Sequence, residues 1–376
     1  MMGKTSTMLA VGDLILSEQQ AESFFAFAAP VLRSADVVVG QGEVVFTSRG
    51  VDTFVEITLP ASACDPSNMS ALPFAGFNVI TLAGNHIWDS GTPGIEDTIA
   101  GLQGYGIAVV GAGMNIDEAR CPAVIEREGI RFGFLSYNCV GPEGSWATPN
   151  KPGCAYVHII THYELALANP GGPPKVYTLI EPNSLKAMVD DIHKLRPLCD
   201  ILTVAFHKGI VAIPIELAMY EQQISYAAID AGADLVLGHH SHILRGIEQY
   251  KGRTIFHGLG NFVTPVQNVL KEARQDLQQI RRRLGELFGF ECDPEDPTYL
   301  FHHDAKKTII AKCTIDGNHI SKVTYLPCLI NNQGQPEILK NDERGRKVFD
   351  YMKKITKEAG LNARYEWEGD EVVIHT

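Results

Sequence analysis

The sequence predicts an α/β protein with a layered core, on three observations. Short runs of β-branched and aliphatic residues recur through the first 240 residues, and each one ends in glycine and polar residues. Stretches with apolar residues at helical spacing fall between these runs. Antiparallel strand signals are appended only after that alternation, which is the order of an α/β layered core.

The elements follow in turn. Residues 6–11 form the first apolar run and lead into Gly12-Asp13. ADVVV (35–39) leads to Gly40-Gln41-Gly42-Glu43, and FNVITLA (77–83) leads to Gly84-Asn85-His86. ILTVAF (201–206) leads to His207-Lys208-Gly209, and ADLVL (233–237) leads to Gly238 and a cluster of histidines. Runs this short and this apolar read as strands buried on both faces. Residues 92–106 predict a helix with a threonine start, proline next and glycine at the end. Residues 184–196 and 215–231 predict two more. Residues 245–263 read as two strands around a Lys-Gly turn.

Three segments stand apart. Residues 140–182, rich in glycine and proline, predict a long surface excursion of the kind often used as a lid. Residues 267–289 predict an amphipathic helix with a basic cluster at Arg281–Arg283, a helical insertion over 266–290. Its ordinary role is a solvated face packed by its apolar side, and contact with a partner or substrate is the alternative. Residues 345–376 predict a helix followed by a small strand pair. The expected organisation is therefore one domain over 1–340, with a C-terminal extension over 341–376 packed on it.

Composition narrows the function classes. The chain has 376 residues, 45% hydrophobic and 20% charged, with a net charge of −12. An acidic surface argues against nucleic-acid binding, which rests on cationic contacts to phosphates. A small or polymeric anionic substrate stays open, because a bound metal can reverse the local field. The N-terminal MMGKTSTMLAVGDLIL lacks the pattern of a signal peptide, and no stretch approaches the ~20 apolar residues of a membrane helix. The expectation is a cytoplasmic protein without a membrane anchor. Eight cysteines without CxxC spacing are expected to be free thiols.

The chemistry lies at the ends of the predicted strands. Asp13, Glu43, Asn85 with His86, His207, and His240 with His242 each follow one of five apolar runs. Any one of them alone reads as a turn or a hydrogen-bonded rim residue. Open α/β sheets gather their ligand sites at the carboxyl ends of their strands, so the five ends are candidates to converge. Imidazole, carboxylate and amide oxygen together suit manganese, zinc or iron. Six such side chains exceed the needs of one tetrahedral zinc and would serve two divalent ions bridged by a carboxylate.

The blocks GD, GQGE, AGNHIWDSGTPGIEDT, FHKG, GADLVLGHHSHILRGIE and GLGNF resemble the CapA/PgsA-type proteins of capsule and poly-γ-glutamate biosynthesis, within the calcineurin-like metallophosphoesterase superfamily. The resemblance implies a four-layer α/β/β/α metallophosphoesterase-like sandwich with a two-metal centre. It implies that Asp13 and His242 hold one metal, that His207 and His240 hold the other, that Glu43 bridges them, and that Asn85 is a ligand through its side-chain oxygen. It implies that His86 is a general acid rather than a ligand. Asp89 is then a partner that orients His86, or simply an acid at a helix start. Lys208 and Arg245 are candidates for binding a substrate anion, or surface cations. His239 is a candidate substrate contact or supporting donor. The chain departs from the family pattern in two places: Ile15 stands where the superfamily's D-x-H motif has histidine, and Gln41 stands where an asparagine is usual. His257 is a candidate for the missing contact, as well as for substrate.

The expected function is a metal-dependent hydrolase that uses metal-activated water on a phosphoester, with His86 protonating the leaving group. An amide or γ-glutamyl hydrolase using the same centre is the first alternative, and a non-catalytic accessory subunit of polymer biosynthesis is the second.

Overall fold

The computed structural model describes residues 5–49, 63–165, 172–264, 277–292, 294, 296 and 299–375. Two sheets lie face to face. In the first, the parallel strands Val37–Gly42, Val79–Thr81 and Ala108–Val110 extend to one side of Thr5–Leu14. The antiparallel strands Lys307–Asp316 and His319–Ile330 extend to the other. In the second, Ile201–His207 lies between Ile130–Asn138 and Leu235–His239, all parallel. The hairpin Ile247–Tyr250 and Arg253–Phe256 closes one edge.

The apolar clusters show four layers. Met8, Val39 and Val79 of the first sheet pack against Phe132, Ile201 and Leu237 of the second. The outer face of the first sheet, with Leu9, Val38 and Ile80, is covered by Ile95 and Leu102 of the helix Gly91–Gly104 and by Leu72. The outer face of the second, with Leu202, Val204 and Val236, is covered by Met188 and Ile192 of Pro182–Leu195 and by Ile224 and Ala228 of Met219–Asp230. This is the α/β/β/α sandwich expected from the sequence. Strands covered on both faces explain why their sequences run continuously apolar rather than alternating.

Most helix boundaries fall close to expectation. Pro182–Leu195 begins where Glu181 accepts hydrogen bonds from the Asn183 and Ser184 amides. Met219–Asp230 begins four residues later than expected (219 − 215), because the Glu221 carboxylate accepts from Ala218 N at 2.8 Å and fixes the start there. The Lys251-Gly252 turn holds both residues at positive φ, 49° and 74°, as a two-residue hairpin requires. Beyond it, Asn261–Val263 leaves the hairpin and pairs in parallel with Thr5–Leu14 in the other sheet.

The 140–182 segment differs from a plain surface excursion. Ala155 and Val157 are fully buried against the second sheet's outer layer, Cys154 is fully buried in the cluster on the first sheet's outer face, and Gly153–Cys154 pairs with Ala112–Gly113. After that the chain forms an antiparallel ribbon, Ile159–Leu165 with Pro174–Ile180. Its β-branched and aromatic residues give it strand character despite the prolines. Residues 166–171 lie outside the described residues. The expected helix over 266–290 is described from Leu277 to Phe288, where Leu284 packs on Cys292 and Leu300. Its first part, 266–276, lies outside the described residues. The C-terminal helix Glu343–Glu358 buries Val348, Met352 and Ile355 in the cluster between the sheets. Glu371–His375 then extends the first sheet by pairing with His319–Ile330.

Candidate metal centre

Local backbone features aim the first ligand. Between Ala10↔Val39 and Asp13↔Gln41 the first strand contains one more residue than its neighbour, a bulge beside the site. Bulges re-aim a side chain in this way. Gly12 is required there, since a Cβ would stand 1.9 Å from Gly260 O. Across the site, a Cβ on Gly238 would stand 2.2 Å from His257 O. These two close approaches let the glycine-led motifs bring three strand ends together. The histidine turn itself is strained: His240 and His242 have φ of 86° and 53°, in the left-handed region that non-glycine residues avoid. Such strain concentrates where side-chain placement matters.

All the strand-end residues converge. Asp13, Glu43 and His207 offer donor atoms within 4.8 Å of one another. His207 Nε2 lies 2.7 Å from Asn85 Oδ1 and 3.1 Å from His240 Nδ1. His242 Nδ1 lies 3.4 Å from Asp13 Oδ2, and its Nε2 lies 3.5 Å from Glu43 Oε1. Glu43 Oε2 faces His207 Nδ1 at 3.8 Å. One Glu43 oxygen thus faces each half of the cluster. Asp13, Glu43 and His207 are buried, while Asn85, His240 and His242 are half-buried above them.

His86 sits at this mouth on the short turn Asn85–Trp88, with its side chain 12% exposed and its Nδ1 2.5 Å from Asp89 Oδ2. The Phe301 ring lies tilted against His242, with centroids 5.0 Å apart, and forms one wall.

The donor atoms fit divalent ions. Asp13 Oδ2, both Glu43 oxygens and His207 Nδ1 are buried without a hydrogen-bond partner. Buried polar atoms left in this way cost free energy unless something satisfies them. Burial, followed by the charges of Asp13 and Asp89, pushes the Glu43 carboxyl well above its usual range. Burial, followed by His242, pulls His240 down to about 3, and burial with His240 pulls His207 well down. Neutral imidazoles with free lone pairs beside two carboxylates form a site for a cation, and the N/O donor set suits manganese, zinc or iron.

The other candidates lie elsewhere. Lys208, Arg245 and His257 are fully buried, not at the mouth. Lys208 Nζ donates to His257 Nδ1 at 3.0 Å and to Glu221 at 3.4 Å, and Arg245 Nη1 donates to both Glu221 oxygens at 3.1 Å. His257 Nε2 donates to Glu248 at 2.9 Å. Both ring nitrogens of His257 are therefore engaged away from Asp13, so it does not supply the contact that Ile15 lacks. These three side chains form a buried charge network beneath the site rather than lining an anion pocket. His239 is also buried, with Nδ1 3.2 Å from Asp13 Oδ1. Gln41 is satisfied by Thr81 Oγ1, at 2.7 Å, and by the carbonyls of Gly42 and Ala83.

Sequence reasoning missed Glu221, which sits in an otherwise apolar helical stripe and gave no signal. It also missed Asn261, whose Oδ1 lies 2.9 Å from His242 Nδ1. The GLGNF block was the available signal, but nothing in it pointed to the asparagine.

The network has a pH signature. Burial, followed by Lys208, pulls His257 from 6.5 to about 4. The unfolded chain therefore binds a proton in that window that the folded chain does not, so stability falls as pH drops from 6.5 towards 4. His257→Gln is expected to reduce the slope of unfolding free energy against pH there by about one proton. Urea denaturation at several pH values measures it, and an unchanged slope would contradict a neutral His257.

The sequence model of the family described as bacterial capsule synthesis protein PGA_cap matches residues 7–266. The chain belongs to that family. The matched span holds every residue of the PGA_cap cluster described above, while the helix Leu277–Phe288 and the C-terminal elements lie beyond it. The chain is 27% identical to the PGA biosynthesis protein CapA of Bacillus subtilis (strain 168), over 83% of this chain and 79% of that protein. It is 27% identical to the capsule biosynthesis protein CapA of Bacillus anthracis, over 68% of this chain and 59% of that protein. A probable polyglutamine synthesis accessory protein of Mycobacterium tuberculosis (strain ATCC 25618 / H37Rv) is 32% identical over 54% of this chain and 50% of its own length. Among solved structures, the calcineurin-like phosphoesterase YfkN from Bacillus subtilis aligns over 95% of this chain and 98% of its own, with 12% identity and a TM-score of 0.39. No helix among the described residues is long and apolar enough to cross a membrane.

Proposed function

We propose that this PGA_cap protein is a metal-dependent hydrolase of a phosphoester. The observation that carries this reading is the pair of buried carboxylates, Asp13 and Glu43, with unpartnered oxygens facing neutral imidazoles at a common sheet edge. Asp13, Glu43 and His242 would hold one ion, and Glu43, Asn85, His207 and His240 the other. Bound there, divalent ions lower the pKa of coordinated water to about 7 and polarise the bond under attack. His86 stands beside Asn85 at the mouth. Asp89 accepts its Nδ1–H, which leaves Nε2 to hold the proton given to the leaving group.

The same residues could serve an amide. The naming of the Bacillus subtilis and Mycobacterium tuberculosis relatives for PGA and polyglutamine synthesis favours a γ-glutamyl bond as the second reading. A role in capsule or polyglutamate metabolism is common to both. A cytoplasmic site of action belongs to this reading, supported by eight cysteines without CxxC spacing, seven of them buried.

His86→Ala is expected to lower turnover about 10²–10⁴-fold with metal content unchanged. Mass-spectrometric metal analysis, with assays on nitrophenyl phosphate mono- and diesters and a γ-glutamyl anilide, tests both parts. Wild-type protein without stoichiometric transition metal would overturn either hydrolase reading and leave the non-catalytic accessory role. Cleavage of the anilide alone would replace the phosphoester reading with the second one.

A further inference from the structure

The first half of the cluster lacks the histidine that its D-x-H motif would supply, since Ile15 stands in that place with its backbone N bonded to Val263 O at 2.9 Å. Two residues with no role in the hydrolase reading stand behind that half. His239, at the end of Leu235–His239, is 1% exposed and places Nδ1 3.2 Å from Asp13 Oδ1. Asn261 is fully buried on the strand that pairs with the first strand, at the register Asp13↔Asn261. Its Oδ1 lies 2.9 Å from His242 Nδ1, and its Nδ2 donates to His242 O at 3.4 Å.

These contacts share one logic. His239 satisfies the far oxygen of Asp13 and leaves Oδ2 buried without a partner. Asn261 Oδ1, which can only accept, requires the proton of His242 on Nδ1, so the lone pair falls on Nε2. That nitrogen faces Glu43 Oε1 at 3.5 Å. Each support takes up the outward atom of a ligand and turns the inward atom towards the site. Hydrogen bonds of this kind fix ring orientation and tautomer, and their loss typically costs 10–100-fold in metal affinity.

We infer that His239 and Asn261 are positioning residues of the first metal half-site, holding Asp13 and His242 so firmly that the half-site works without the absent D-x-H histidine. The inference rests on the metal-dependent reading of this cluster. His239 acts as a hydrogen-bond donor to Asp13, not as a ligand.

The test is zinc(II) titration of the full chain against a chromophoric chelator, with ¹⁵N NMR of the histidine rings. Wild type should bind two ions per chain. His239→Leu and Asn261→Leu should each weaken one of the two by about 10–100-fold and leave the other unchanged. His239→Gln keeps an N–H for Asp13, and Asn261→Asp keeps an acceptor for His242. Both should restore affinity to within about threefold of wild type, a rescue that general loss of packing would not show. In the metal-free protein the NMR should find His242 protonated on Nδ1, and a mixture of tautomers in Asn261→Leu. If His239→Gln is as weak as His239→Leu, His239 is a ligand and the inference is overturned. Unchanged zinc affinity in both leucine variants overturns it as well. Wild type that binds no zinc overturns the metal reading itself, an outcome distinct from either of these.

Discussion

Glu43→Gln is expected to make the metal-free protein more stable than wild type while it weakens metal binding. Glu43 is 4% exposed, and neither of its oxygens has a hydrogen-bond partner. Burial first, and then Asp13 and Asp89, drive its pKa well above the usual carboxylate range. At pH 8 the unfolded chain ionises this group freely, whereas the folded chain either keeps it protonated or buries its charge beside Asp13. Each pKa unit of that mismatch costs about 1.4 kcal/mol. Glutamine has the same shape without the charge, so a gain in stability of chelator-treated protein is expected, read by urea denaturation. The sign of the linkage is specific: the gain should grow from pH 5 to pH 8 and vanish below the ordinary carboxylate pKa, where wild-type Glu43 is neutral in both states. With saturating divalent metal, the proposed hydrolase activity should fall about 10³-fold in the same variant, since a carboxylate bridging two ions would be worth several kcal/mol in the transition state. A metal-free variant less stable than wild type would show that Glu43 is content without a cation.

Glu221→Gln is expected to be the most damaging single substitution outside the metal cluster, costing about 3–5 kcal/mol of stability. Glu221, Lys208 and Arg245 are all fully buried. Burial works to raise the Glu221 pKa, but Lys208 and Arg245 outweigh it and hold the carboxyl below its usual range. Removing that charge leaves the buried Lys208 and Arg245 without the carboxylate that both donate to. Lys208→Met should cost clearly less, because burial already pulls the Lys208 pKa down and Glu221 keeps its bidentate Arg245 partner. Chemical denaturation of the two variants measures the order, and the reverse order would mean that Lys208, not Arg245, is the main countercharge. Because Lys208 N donates to His239 O and Ala212 N to Ser241 O, the network also ties the two histidine-bearing loops together.

The convergence of the strand-end cluster was legible because each of its members sits directly after an apolar run, and strand ends are where such sites gather. Asp13, Glu43, Asn85, His207, His240 and His242 all come together as that pattern requires. Lys208, Arg245 and His257 were misread because exposure is not encoded locally. A cation next to a ligand in sequence reads as solvent-facing, and only the placement of Glu221 and Glu248 makes its burial affordable. The 140–182 segment was misread for a related reason. Its glycines and prolines mark turns, but whether Ala155 and Val157 cover the second sheet depends on what else lies there.

The sequence by itself determined the alternation of strands and helices, the polar strand ends and the glycines that precede them. These follow from local periodicity and from backbone conformations open to few residues. Tertiary structure alone decided how the far atoms of Asp13 and His242 are held. Asn261 reaches His242 because its strand leaves the hairpin and pairs with the first strand, and His239 reaches Asp13 across 226 residues of sequence. Hydrogen bonds between such distant residues leave no periodic trace, because register and sheet packing, not spacing, bring their atoms within reach.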